Sequence, residues 1–226
     1  MKVTIFTCAT GGGHNSTAAA IGRELTARGH TPVIRDALAF LPKSSANFIS
    51  KGHNFAYRYA PKLYGVGYRL EERNPSPLLY EQSIKGADPL REALRADGAD
   101  AAICVHVFPA MMITELRRRG DLSLPAWFVA TDYTCSPGVG ELDMDGYCIP
   151  HPALLEEFAA AGLDPSRLHA TGIPVSPDFI RPLDKQTARR ALHLENKRHV
   201  VVLACGSMGA GPMLSLIHIS EPTRPY

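Results

Sequence analysis

The sequence has no apolar run near the length that a membrane-spanning helix needs. It has no Cys-x-x-Cys pair either. Its five cysteines, Cys8, Cys104, Cys135, Cys148 and Cys205, are odd in number and widely spaced. That pattern argues against a disulfide framework or a thiolate metal site and fits reduced thiols in a cytoplasmic protein. Net charge is small, +2 over 226 residues, so the overall balance does not point to nucleic acid. The opening "MKVTIFTCATGGG" holds six or seven apolar residues before its glycines, fewer than a signal peptide requires. The sequon Asn15-Ser16-Thr17 is therefore not expected to meet a glycosylating compartment.

One local absence is sharper. Residues 37–70 contain no Asp or Glu, yet carry Lys43, Lys51, Arg58, Lys62 and Arg69. Extending the window to residue 80 collects eight aromatics: Phe40, Phe48, Phe55, Tyr57, Tyr59, Tyr64, Tyr68 and Tyr80. Rings mixed with cations suit a segment lying at a membrane surface, with the cations toward anionic lipid. They equally suit a helical insertion whose tyrosines cover the core.

Elsewhere the chain alternates strand and helix. "KVTIFTCA", "TPVIRDA", "AAICVHVF", "PAWFVATD", "GYCIP" and "LHATGI" read as strands. Between them lie three helical patterns, "ADPLREALRADG", "PAMMITELRRRG" and "PALLEEFAAAG". A fourth, "NSTAAAIGRELTARG", puts Ala18, Ile21 and Leu25 on one face, with Asn15 or Ser16 as N-cap and Gly29 as stop. The pattern implies an α/β fold with a mostly parallel sheet. Near residue 175 it breaks. Prolines and a short charged helix lead to "HVVVLACGSMGAGPM", which repeats the strand and glycine turn of residues 3–13 and reads as the start of a second Rossmann-like domain.

The turn "TCATGGGHNSTAAAI" carries the most chemistry. A strand, a bare glycine turn (Gly11, Gly12, Gly13) and a helix N-terminus offer free N–H groups and a positive dipole end to a phosphate or sugar oxygen. The Lys-Ser/Thr ending of a Walker loop is replaced by His14-Asn15. A dinucleotide fingerprint fits Gly11 and Gly13 but has Ser16 for its third glycine; Asp36 stands about 20 residues on, which keeps a nicotinamide-dependent oxidoreductase open. His14, on the first helical turn, is placed to take a proton from a hydroxyl or simply to pack there. Asp132, at a strand end, could orient His14, bind a sugar hydroxyl or cap a helix. His106 sits at an equivalent strand end and reads most simply as a satisfied rim histidine, and His151 as a helix cap. Asp143-Met144-Asp145 spells a D-x-D but falls in a turn, so no metal site is expected.

Six stretches occur in an order that resembles one family: "GGGHNSTAAAI", "CVHVFPAMM", "VATDYTCSP", "CIPHPALLEEFAAAG", "TGIPVSPDF" and "GSMGAGP". Together they resemble the monogalactosyldiacylglycerol synthases and processive diacylglycerol glucosyltransferases. Where many of those proteins carry a His or bulky aromatic after "TDYT", this chain has Cys135, Ser136, Pro137 and Gly138. The resemblance implies a GT-B-type architecture with two Rossmann-like domains. Residues 1–175 would be the acceptor and membrane-binding domain, 176–198 a linker, and 199–213 the start of the UDP-sugar domain.

It also implies an inverting transfer of glucose or galactose from a UDP-sugar to diacylglycerol, without a cofactor. His14 would be the general base, assisted by Asp132, with Gly11–Gly13 and His106 on the acceptor side. Gly206, Ser207, Met208 and Gly209 would hold the donor diphosphate. The family's membrane-docking insertion falls where Lys43, Lys51, Phe55, Tyr57, Arg58, Lys62 and Tyr64 lie, which implies a peripheral protein on the anionic inner face of the cell membrane. A polyprenyl-lipid acceptor for UDP-GlcNAc, or a non-enzymatic lipid-binding domain, are the other readings. Residues 214–226, "LSLIHISEPTRPY", resemble a translated adapter and are expected to be non-native. The chain as given is then expected to fold its first domain and transfer no sugar alone.

Overall fold

The computed structural model describes residues 1–9, 12–46, 77–181 and 183–204, with backbone alone at 77–79. Gly11, Lys51, Phe55, Tyr57, Arg58, Lys62, Tyr64 and the stretch Gly206, Ser207, Met208, Gly209 lie outside the described residues. The chain divides into two compact units, Met1–Ser176 and Pro177–Tyr226.

The first unit runs β1 (Lys2–Thr7), α1 (Gly12–Ala27), β2 (Thr31–Asp36), α2 (Pro77–Ile84), α3 (Ala87–Asp97), β3 (Ala101–Cys104), α4 (Val107–Arg118), β4 (Ala126–Val129), β5 (Gly146–Ile149), α5 (Leu155–Ala160) and β6 (Leu168–Ala170). All six strands are parallel, in the order β2-β1-β3-β4-β5-β6. The expected α/β sheet is therefore present. The chain steps one way from β1 to β2 and the other way from β2 through β6. Right-handed crossovers then put α1 on one face and α3, α4 and α5 on the other.

Alternation along the strands matches this. Val3 and Ile5 pack with Ala18, Val105 and Val129 under α1. Phe6 and Cys8 join Leu90, Leu94, Met112, Ile113, Phe128 and Phe158 on the opposite face. The sheet order reverses between β1 and β3. At that switch point the two crossovers leave to opposite faces, the place where open α/β sheets bind their ligands.

Two expectations need correction. Helix α1 starts at Gly12, not after an Asn15 or Ser16 cap. Asn15 lies inside the helix, where its Oδ1 accepts a 2.8 Å hydrogen bond from the Thr7 hydroxyl. That clasp ties the end of β1 to the first turn and overrides the residue's preference for a cap. Second, residues 199–204 form no strand, and Val201 and Val202 are 82% and 84% exposed. A strand exists by pairing, and no described strand pairs with this run. Of the two readings of the aromatic window, its two described members fit the one in which rings cover the core. Phe40 meets Phe6 edge-on at 6.0 Å, and Tyr80 donates to Glu115 while accepting from Arg118. Lys43 is exposed.

In the second unit, α6 (Lys185–Ala191) is capped by Asp184, whose carboxylate accepts from the Thr187 N–H.

Asp97 closes α3 onto the edge of the sheet. Its carboxylate accepts both arms of the Arg35 guanidinium and, at 3.0 Å, the Thr4 hydroxyl. The hydrogen bonds from Arg35 hold its carboxyl below the usual carboxylate range, against the opposing effect of burial. A depressed folded-state value contributes stability that is fully present above about pH 4 and is lost as pH falls through the folded value. Asp97→Asn should therefore cost about 1–2 kcal/mol at pH 7, discounted because Arg35 reaches water. The gap from wild type should narrow by pH 2–3, as read by urea midpoints.

Candidate functional site

The glycine turn, the β3–α4 turn and the end of β4 meet at the carboxyl edge of the sheet. His14 stands on the first turn of α1, half-buried. Its Nδ1 lies 2.9 Å from the backbone oxygen of Val105 and 2.9 Å from the Thr131 hydroxyl. A carbonyl can only accept, so the bond to Val105 requires the proton on Nδ1. In the neutral ring this is the Nδ1–H tautomer, with the lone pair on Nε2.

His106 is the neighbouring ring, edge-on at 4.6 Å and 71°. It is the N-cap of α4, and its Nδ1 accepts from the Phe108 N–H at 3.2 Å. An accepting Nδ1 leaves the proton of a neutral ring on Nε2. In their neutral forms the two imidazoles therefore carry opposite tautomers.

Gly13, just before His14, is exposed. A Cβ at Gly13 would meet nothing within 4 Å among the described residues. Gly in a helix costs roughly 0.5–1 kcal/mol relative to Ala, and nothing described in this chain demands it at that position. The first turn of α1 also carries no acidic side chain, so none offsets its positive pole locally.

The other expected residues take varied places. Asp132 is exposed, and its Oδ2 accepts from Ser136 at 3.5 Å; the partners of the His14 ring nitrogen are Val105 and Thr131. Glu157 holds the loop after Asp132, its Oε1 accepting from the Thr134 hydroxyl at 2.7 Å and the Cys135 N–H at 2.6 Å. Tyr133 stands out from that loop, 68% exposed. His151 caps its helix by accepting from the Ala153 N–H. Asp145 is engaged by the Ala126 N–H and by Arg117, Asp143 pairs with Arg167, and Met144 between them is fully buried. The D-x-D thus clamps a turn. Asp36 spends one carboxylate oxygen on the N–H groups of Ala9 and Leu38, which is a cap rather than a ribose site. Thr131, the Val105 carbonyl and Glu157 were not found by sequence reasoning. The parallel strand register brings Val105 and Thr131 to His14, and helix α5 brings Glu157 to the loop after Asp132.

The sequence profile of the monogalactosyldiacylglycerol (MGDG) synthase family matches residues 14–175. The chain belongs to this family. The match opens at His14 and takes in His106, Thr131 and Asp132, so the MGDG synthase region holds the whole two-histidine arrangement. Among curated relatives, the chain is 22% identical over 211 residues to a processive diacylglycerol beta-glucosyltransferase of Staphylococcus saprophyticus, covering 92% of this chain and 53% of that protein. It is 22% identical over 220 residues to the protein of that name in Bacillus subtilis, covering 92% and 54%. It is 28% identical over 224 residues to a chloroplastic monogalactosyldiacylglycerol synthase of Spinacia oleracea, covering 94% and 42%. The chain thus spans about half the length of the curated relatives it matches.

Proposed function

We propose that this chain forms the acceptor side of a glycosyltransferase that moves glucose or galactose from a UDP-sugar to diacylglycerol. The observation that carries the reading is the His14 ring. Its Nδ1 is engaged by Val105 and Thr131, which leaves the lone pair of the neutral ring on Nε2, and it directly follows Gly13, where a Cβ would meet nothing described within 4 Å.

The step is an inverting displacement. His14 Nε2 takes the proton of the free glycerol hydroxyl as that oxygen attacks the anomeric carbon. The bond from that carbon to the diphosphate oxygen breaks, and UDP leaves with the electron pair. Placing a base in this way contributes about 10²–10⁴-fold. His106 is proposed to line the acceptor side beside His14, its ring edge-on to that imidazole. Gly206, Ser207, Met208 and Gly209 are proposed to hold the diphosphate through backbone N–H groups. The names of the relatives, which concern diacylglycerol, support the acceptor.

Attachment to membrane is proposed to be peripheral, on the anionic cytoplasmic face. No helix among the described residues is long and apolar enough to cross a bilayer. The cations at Lys43, Lys51, Arg58 and Lys62 would draw the protein to anionic lipid, with the rings of Phe55, Tyr57 and Tyr64 at headgroup depth. Such an attraction weakens as salt rises.

The experiment watches the imidazole nitrogens. Addition of diacylglycerol in phosphatidylcholine vesicles should shift the ¹⁵N signals of His14 and His106 and leave those of His151 and His169 in place. Gly13→Ala should hold or raise the thermal midpoint, because the methyl enters open space, while blunting the His14 shift. Diacylglycerol that leaves the His14 signals unchanged would contradict the reading.

A further inference from the structure

We infer that Thr131 is a positioning residue for His14: its hydroxyl and the Val105 carbonyl together receive the Nδ1–H and fix the ring, leaving Nε2 as the nitrogen that can take a proton. The inference rests on the reading of His14 as base and names what orients it.

The geometry is specific. Two oxygens lie 2.9 Å from one nitrogen, one from the β3–α4 turn and one from the chain just past β4. Val105 O cannot donate, so the arrangement in which Thr131 gives its proton to Nδ1 would set the carbonyl against a lone pair at 2.9 Å. A three-centre bond from Nδ1–H to both oxygens satisfies all three atoms. Two acceptors from two segments fix the ring plane as well as its direction, since rotation about the Cβ–Cγ bond lengthens one contact or the other.

The arrangement also serves the transfer. When Nε2 gains a proton, positive charge spreads to Nδ1–H, and bonds from an ionised donor are about twice as strong as neutral ones. In other histidine-based sites a carboxylate performs this service. Here the adjacent carboxylate, Asp132, is exposed and turned to Ser136, and two neutral oxygens stand at the ring instead. Of the two, only Thr131 can be altered by substitution, because the other is backbone.

The test replaces Thr131 with Val, which keeps the shape and removes the hydroxyl. On the 226-residue chain, proton NMR of the His14 Nδ1–H should show exchange with water faster by about tenfold, the equivalent of one net hydrogen bond. The thermal midpoint should stay near wild type. In a form with the full length of the relatives, kcat should fall about tenfold with KM for the UDP-sugar unchanged, the mark of an interaction used in the transition state. Thr131→Ser should restore both readouts. Thr131→Ala reports the same two quantities if the second methyl of Val is not accepted. Wild-type Nδ1–H exchange and kcat in a folded Thr131→Val or Thr131→Ala protein would overturn the inference. Normal transfer by His14→Ala would instead remove the base role of His14, while the exchange measurement still judges Thr131.

Discussion

His14→Ala should lower kcat about 10²–10⁴-fold in a form of the protein with the full length of its relatives, while KM for the UDP-sugar stays put. The ring is the group on the first turn of α1 that can take a proton at Nε2, and its Nδ1 is already engaged by Val105 and Thr131. Removing it also leaves the Val105 carbonyl without that donor, at a cost of about 1 kcal/mol. His14→Gln separates the two effects. Its amide can still donate to Val105, but it offers no base, so folding should recover and turnover should not. Steady-state kinetics beside a thermal melt reads both. Near-normal turnover in either variant would contradict the assignment.

Gly140→Ala should destabilise the first unit by about 3 kcal/mol, lowering the thermal midpoint by about 6–12 °C. A Cβ built at Gly140 falls inside the carbonyl oxygen of Ala161, the residue that closes α5. A flexible side chain could swing away, but a backbone oxygen at a helix end cannot do so without moving the helix. Helix α5 carries Phe158, fully buried in the larger core, and Glu157, which holds the loop after Asp132. The damage therefore reaches both the core and the rim of the site. The same substitution at Gly13 meets open space and should be tolerated, so the pair forms an internal control. A Gly140→Ala protein that melts with wild type would mean that the close approach of Gly140 to α5 is not required.

Much of the architecture could be read from the sequence because it rests on local patterning. Apolar runs such as Ala101–Cys104 and Ala126–Val129, each followed by a turn and separated by helical stretches, force a parallel sheet with helical crossovers. The start of α1 was misread because Asn15 usually caps helices; here the Thr7 hydroxyl reaches it across the turn and the residue becomes internal. Residues 199–204 have the composition of a strand and do not form one, because pairing is a property of two segments and composition of only one.

The site divides in the same way. His14 stood out because three glycines precede it. Its two partners did not, since Val105 contributes only backbone and lies 91 residues away, and Thr131 lies 117 residues away. Asp132, a carboxylate at a strand end, is the more conspicuous side chain in sequence, whereas a neutral Thr131 hydroxyl carries no comparable signal.

The most direct measurement of the central claim is sugar transfer itself. A form with the full length of the relatives would be given labelled UDP-glucose, UDP-galactose or UDP-GlcNAc, with vesicles containing either diacylglycerol or a polyprenyl-phosphate lipid. The account predicts label from UDP-glucose or UDP-galactose on diacylglycerol, lost on His14→Ala. Label confined to the polyprenyl lipid, or transfer to diacylglycerol that survives His14→Ala, would contradict it.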